Sequence, residues 1–341
     1  MGQSPIHIVG RGGFHRQVLA ELSKAASTDV EVILLGPTGV GKELYARWIH
    51  EHSTRAAKAF VPVNCGAIPV ALFENELFGH VGGAYTSASI SSDGLVAEAE
   101  GGTLFLDEID ALEPPNQVKL LRFLQEREYR RLGESRIRKA NVRIVAASNA
   151  DLVELSRTSR FREDLLFRIH VFPVRVPPLC ERSEDVEPLL THFAGTCASA
   201  LRMTPVRFAP DVVRHLEAYA WPGNVRELEN CVRYLTVLDL DREVQSGDLN
   251  LVGRLNGRPA PAPPRPDVPV EANGSRSLRD AKRAVVGSFE RNFIITALRT
   301  SGGNIAHAAH ASGKTRRAFF ELMRKYKVSA GDYRQSAGPS A

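Results

Sequence analysis

The sequence predicts an α/β core, a parallel sheet built around a nucleotide-binding P-loop, followed by a helical lid and a C-terminal all-α helix-turn-helix domain. Three observations carry this. The octapeptide Gly36-Pro37-Thr38-Gly39-Val40-Gly41-Lys42-Glu43 stands between an apolar run and a helical pattern. Short β-like runs then alternate with helical segments. A Pro-rich stretch finally separates this body from a short basic segment with apolar residues at helical spacing.

Val30 to Leu35 reads as the first strand, and Leu44 to His50 as the helix that follows the octapeptide. Glycines let backbone N–H groups curve around phosphate oxygens, the helix points its positive end at them, and Lys42 can reach the outer phosphates. Glu43 occupies the position where a Ser or Thr hydroxyl would ligand Mg2+, so metal ligation has to be completed elsewhere. Further β-like runs are Phe60 to Asn64, Thr103 to Asp107, Val142 to Ser148 and Val171 to Val176. Their alternation with helical patterns argues for a parallel sheet covered on both faces. The run Leu104-Phe105-Leu106 ends in Asp107 and Glu108. An acid at the end of a buried strand beside a phosphate loop suits Mg2+, which is the role expected for Asp107. Glu108 is then placed to orient or deprotonate the attacking water.

From about Arg182 to Leu240 the pattern is mostly helical, with Trp221-Pro222-Gly223-Asn224 marking a turn before a helix that starts near Val225. Residues 253–275 hold six prolines and no periodicity, the composition of a semi-extended linker. Beyond it, Val286, Phe289, Phe293 and Ala297 give one face of an amphipathic helix. Gly302-Gly303 breaks the chain, Asn304 caps a short helix to Ala311, Ser312-Gly313 turns, and Thr315 caps a last helix to about Lys325. Two short helices joined by a glycine turn, the second opening with Arg316-Arg317, form the arrangement of a helix-turn-helix. His307 and His310 lie one helical turn apart without an evident third ligand, so they read as surface side chains and not as a metal site.

The chain has 341 residues, 43% of them hydrophobic, enough for two or three domains with a real core. Arg276 to Lys327 carries twelve basic against three acidic side chains, a surplus larger than the net +5 of the whole chain. A basic unit on a mildly acidic body points to nucleic acid as its partner. The four cysteines, Cys65, Cys180, Cys197 and Cys231, are scattered with no paired CxxC, so neither a zinc site nor a disulfide framework is suggested and a reducing cytoplasm fits best. No apolar run approaches the ~18 residues of a membrane span, so no membrane partner is expected.

With these motifs in hand the chain resembles the bacterial enhancer-binding proteins, the AAA+ activators of sigma-54 RNA polymerase. Matching stretches are Gly36 to Glu43, Glu76-Leu77-Phe78-Gly79-His80, Gly101 to Ile109, Phe161 to Arg168 and Trp221 to Leu228, with Gly303-Asn304-Ile305, Ala308-Ala309 and Arg316-Arg317-Ala318 in the last domain. The resemblance implies an ATP-hydrolysing AAA+ ring, a hexamer, with ATP and Mg2+ as cofactors. It implies that Asn64 holds the catalytic glutamate until nucleotide is bound, that Ser148 and Asn149 stand where the γ-phosphate is sensed, and that Arg226 contacts phosphate from the lid. Arg162 and Arg168 match the arginines that a neighbouring subunit inserts. The sigma-54 loop, GAFTGA in the family, reads here Gly83-Ala84-Tyr85-Thr86-Ser87-Ala88. Tyr85 keeps the ring and Thr86 the hydroxyl, whereas Ser87 replaces a glycine and Val81 an acid. DNA recognition is expected from Lys314, Thr315, Arg316, Arg317 and Phe320, with Asn304 in the preceding cap. Ser312 and Lys314 stand where the family often has Leu and Ile.

The expected division is 1–178 for the α/β nucleotide-binding subdomain, 179–252 for the lid, 253–275 for the linker, 276–330 for the helix-turn-helix domain and 331–341 for a disordered tail. The core starts within about ten residues of Met1, so an activator lacking an N-terminal regulatory domain, controlled by a trans-acting regulatory protein or by expression level, is expected. The implied function is opening of the closed sigma-54 RNA polymerase holoenzyme from an upstream enhancer site on DNA. Two alternatives stand beside it: a nucleotide-responsive DNA-binding regulator that does not engage sigma-54, favoured by Ser87 and Val81, and a general protein-unfolding motor, disfavoured by the basic helix-turn-helix.

Overall fold

The computed structural model describes residues 8–84, 90–249, 294, 297–298, 301, 304–312, 314–326 and 328–329. Tyr85, Thr86, Ser87 and Ala88 of the loop, segment 253–275, Val286, Phe289, Phe293, Gly302, Gly303, Gly313 and the tail 331–341 lie outside the described residues. The chain divides into two units, Met1–Pro263 and Pro264–Ala341.

The first unit opens with α1 (Gly13–Ala26), β1 (Val32–Leu35), α2 (Lys42–Glu51) and β2 (Phe60–Asn64). There follow α3 (Phe73–Phe78), α4 (Leu95–Glu98), β3 (Thr103–Asp107), α5 (Pro114–Glu126), β4 (Glu128–Tyr129) and β5 (Arg138–Lys139). The core closes with β6 (Arg143–Ser148), α6 (Leu152–Arg157), α7 (Glu163–Ile169) and β7 (Phe172–Arg175). Five strands form one parallel sheet in the order β2-β3-β6-β1-β7. All five strands read from the sequence are present, with β1, β6 and β7 one or two residues shorter at their ends. The antiparallel pair β4 and β5 was not foreseen, because two-residue strands carry no periodicity to read.

The inner strands β3, β6 and β1 are buried on both faces and are near-continuous apolar runs, whereas the edge strands β2 and β7 alternate buried and exposed residues. Alternate residues divide between the faces: Ile33, Leu104, Leu106, Ile144 and Ala146 join one cluster with Phe73, Phe123 and Leu165 from α3, α5 and α7. Val32, Leu34, Phe105, Val145 and Ala147 join the other with Leu22 of α1 and Ile49 of α2. Arg143, only 1% exposed, donates to the carbonyls of Ala25 (2.7 Å) and Ala26 (3.3 Å) and so satisfies the last turn of α1.

The lid consists of a 3-10 segment Leu179–Asp185, then α8 (Val186–Leu201), α9 (Pro210–Glu217) and α10 (Asn224–Val237). It has its own core, including Leu190, Val212, Trp221, Leu228 and Leu235. Trp221 Nε1 donates to the Leu216 carbonyl at 2.8 Å, so its one polar atom is satisfied inside that core.

In the second unit, α11 (Ile305–Ala311) and α12 (Arg316–Lys325) match the helices expected from the caps. Asn304 Oδ1 accepts from the amides of Ala306 and His307, and Thr315 Oγ1 from that of Ala318. Ala308, Ala309, Phe319 and Met323 pack with Ile294 and Leu298 into a small core. Ser312, at a position more often apolar, turns its hydroxyl back onto the Ala308 carbonyl at 2.6 Å, so no polar group is stranded there.

Candidate functional site

Parallel pairing brings the carboxyl ends of β1, β2, β3 and β6 to one edge of the sheet, where ligands of open α/β sheets bind. The octapeptide leaves β1 there and enters α2. Gly39 adopts φ +82°, and a Cβ on it would lie 2.4 Å from the Gly223 carbonyl oxygen, so both conformation and lid contact require glycine. Lys42 starts α2, and its ammonium donates to the carbonyls of Gly36 (2.7 Å) and Pro37 (3.1 Å) and to Asn149 Oδ1 at the end of β6. Burial lowers the Lys42 pKa, opposed by the carboxylates of Asp107, Asp110 and Glu108. Burial in turn raises the Asp107 pKa, opposed by the Glu108 amide that donates to its carboxylate at 2.9 Å.

Thr38, Gly39, Gly41, Lys42, Glu43, Asp107, Glu108 and Asn149 line a cleft of about 380 Å³ closed on its far side by Phe193, Val225, Arg226 and Glu229 of the lid. Its chemistry fits a nucleoside triphosphate. It offers a glycine-rich loop, a cation and a helix N-terminus to phosphate, a strand-end carboxylate of the kind that holds Mg2+, and a second carboxylate for water. Glu108 sits in the left-handed region (φ 53°, ψ 44°), rare for a residue with a Cβ. Val40 faces the core, 2% exposed, so it serves the loop through its backbone.

Asn64 ends β2 in register with Asp107. Its Oδ1 accepts from the amides of Gly66 (2.9 Å) and Ala67 (3.0 Å), the turn geometry an ordinary strand end would show. Among the described residues no hydrogen bond joins it to Glu108, although a Cβ on Gly66 would meet both Glu108 Oε2 (2.8 Å) and Asn64 Oδ1 (3.4 Å). Ser148 is buried and bonds Asp110 Oδ1 (2.9 Å), so Asn149 alone reaches the cleft. Asp110 was not singled out in the sequence; it holds the Asn149 amide at 3.0 Å and thereby aims that side chain.

Arg162 and Arg168 do not line the cleft of their own chain. Arg162 is exposed and paired with Asp164 at 2.7 Å. Arg168 donates to the Leu124 carbonyl (2.9 and 3.1 Å) and lies 3.3 Å from Glu31. Arg226 is exposed at the cleft, and its amide donates to the Gly39 carbonyl at 3.2 Å.

The stem of the Gly83 to Ala88 loop is firmly tied. His80 and Ser92 exchange backbone hydrogen bonds at 2.9 Å, Val81 N donates to Leu132 O at 3.0 Å, and Arg131 pairs with Asp93 at 2.7 Å. Val81, where an acid is common, thus uses its backbone amide beside the isolated bridge of His80 to Leu132. On α12, Arg316, Arg317, Phe320 and Arg324 share the exposed stripe, opposite buried Phe319 and Met323. Lys314 and Thr315 are exposed just before it. Among the described residues no group of three metal-ligating side chains occurs, and no helix is long and apolar enough to cross a membrane.

Three family descriptions match the chain: Sigma-54 interaction domain over residues 8–175, AAA+ ATPase lid domain over 180–259, and Bacterial regulatory protein, Fis family, over 286–326. Transcriptional regulatory protein GlrR of Escherichia coli is 37% identical over 96% of this chain and 70% of its own length. Hydrogenase transcriptional regulatory protein HoxA of Bradyrhizobium diazoefficiens is 41% identical over 96% of this chain and 64% of its own. The crystal structure of NtrX from Brucella abortus in complex with ATP superposes with a TM-score of 0.67 at 31% identity, covering 94% of this chain and 69% of that one.

Proposed function

The chain belongs to the family of sigma-54-dependent transcriptional activators, with an AAA+ ATPase core, its lid and a Fis-type helix-turn-helix, and from that membership we propose that it opens closed sigma-54 polymerase by hydrolysing ATP in an oligomeric ring bound to upstream DNA. The observation that carries the reading is the convergence of Lys42, Asp107, Glu108 and Asn149 on one cleft faced by Arg226.

In this reading Lys42 and the loop amides neutralise the phosphates, and Glu108 takes the proton of the attacking water. Asp107 would hold Mg2+, which supplies charge neutralisation at the phosphate oxygens when bound. Asn149, aimed by Asp110, reads the outer phosphate. Asn64 acts on Glu108 across Gly66 in one nucleotide state and caps its turn in the other. Arg162, exposed and held at the surface by two hydrogen bonds to Asp164, enters a neighbour's cleft in this reading, as a hexameric ring requires. Arg168, bonded inside its own chain to the Leu124 carbonyl and close to Glu31, serves that arrangement by holding the α7 end in place. The loop Gly83 to Ala88, carried on its tied stem, contacts sigma-54, and Lys314 to Phe320 with the exposed stripe of α12 contacts DNA.

Open-complex formation on a sigma-54 promoter with purified polymerase, ATP and the full chain tests this, with Glu108→Ala as control. ATP-dependent opening that the control lacks is the expected result. Hydrolysis without opening would instead favour a nucleotide-responsive DNA-binding regulator that leaves sigma-54 alone.

A further inference from the structure

We propose that the lid sets the shape of the phosphate loop, with Asn224 and Arg182 as positioning residues for nucleotide binding. Five successive loop carbonyls, from Gly36 to Val40, accept hydrogen bonds. The first two go to Lys42 Nζ. The next three all go to the lid: Asn224 Nδ2 donates to Thr38 O at 2.9 Å, Arg226 N to Gly39 O at 3.2 Å, and Arg182 Nη2 to Val40 O at 2.9 Å. In a trans peptide the carbonyl and the next N–H point in opposite directions. Fixing these three carbonyls toward the lid therefore turns the amides of Gly39, Val40 and Gly41 to the side an anion would occupy.

Both donors are committed by their surroundings. Asn224 is 2% exposed with φ +53°, and while its Nδ2 reaches the loop its Oδ1 accepts from the Leu179 amide at 2.9 Å, at the start of the lid. Arg182, 4% exposed, also donates to the Tyr45 hydroxyl of α2 at 3.3 Å and lies 3.9 Å from Asp185. Asp185 is fully buried and holds the amides of Arg11 (2.7 Å) and Gly12 (3.1 Å). One buried cluster thus ties the segment before α1, the lid and the loop together. Lid position and phosphate affinity are then linked, and the linkage is reciprocal: whatever favours the seated lid tightens ATP, and ATP tightens the lid.

The inference rests on the ATP-binding reading of the cleft, and the experiment separates the two. ATP affinity is measured on the full chain by equilibrium dialysis for wild type, Asn224→Asp, Arg182→Met and Arg182→Lys. Asn224→Asp keeps the size, the tolerance of positive φ and the acceptor for Leu179 but sets a carboxylate oxygen against the Thr38 carbonyl. Asn224→Gly, which also tolerates positive φ and removes the donor without adding charge, is therefore measured beside it and is expected to weaken ATP binding comparably. Weakening by about tenfold or more is expected for Asn224→Asp and Arg182→Met, with substantial recovery in Arg182→Lys. Folded variants that bind ATP within about twofold of wild type would overturn the proposal. A second readout needs no variant: hydrogen exchange at the Arg226 and Leu179 amides of wild type should slow when ATP is added, and unchanged exchange at saturating ATP would also overturn it. Wild type that binds no ATP would sink the ATP-binding reading instead.

Discussion

Glu108 holds a backbone conformation that costs about 1–2 kcal/mol for a residue with a side chain, and the Ala111 amide that donates to its carbonyl at 2.9 Å helps to keep it there. Strain of that kind at the end of a catalytic strand fits a side chain that must be aimed. Glu108→Gln is therefore expected to retain ATP binding while turnover falls by about 100-fold or more, measured as phosphate release beside nucleotide affinity. Asp110→Ala should lower turnover more than affinity, because it frees Asn149 without touching the loop. His50 provides a pH test. It is buried against the Thr103 hydroxyl (2.9 Å) and the Lys58 carbonyl (3.2 Å), and burial lowers its pKa below the usual 6.5. Between that lowered value and 6.5 the unfolded chain binds more protons than the folded one, so stability drops as pH falls through this window. Thermal midpoints should decline on acidification below 6.5, and His50→Gln should flatten the decline. Lys42, Asp107 and Glu108 were legible in the sequence because their chemistry is written into contiguous motifs. Asp110, Arg182 and Asn224 were not, since each acts on a partner from 38 to 186 positions away through a contact only the fold creates.

At the scale of elements, the inner strands β1, β3 and β6 were readable because burial on both faces leaves them nearly continuously apolar, and α11 and α12 because Asn304 and Thr315 announce their starts. Thr315→Ala should destabilise the second unit by about 1 kcal/mol through loss of the cap to Ala318, seen as a lower thermal midpoint of that unit and weaker DNA binding. Phe105, at the middle of β3 and 1% exposed, makes the contrasting case. Phe105→Ala should cost about 3–5 kcal/mol by denaturant unfolding of the first unit, since it opens the sheet face that α1 and α2 cover. The lid was legible as a helical region, but not its grip on the phosphate loop, because hydrogen bonds to backbone carbonyls leave no residue pattern in the sequence.

At the scale of the whole molecule, the cleft holds the glutamate proposed to activate water, a lysine and a lid arginine from one chain, while Arg162 stands outside it with its guanidinium paired to exposed Asp164. A site divided between neighbours follows if Arg162 completes the cleft of the next subunit, where such an arginine is worth on the order of 10³-fold or more in turnover. The most direct measurement is ATP turnover by full chains in mixing: Arg162→Ala alone, Glu108→Ala alone, and the two combined at fixed total concentration. Each variant alone should be nearly inactive, and the mixture should regain turnover, because an intact Glu108 of one chain then meets an intact Arg162 of another. Full activity of Arg162→Ala alone, or a mixture no more active than its parts, would contradict a cleft completed by a neighbour.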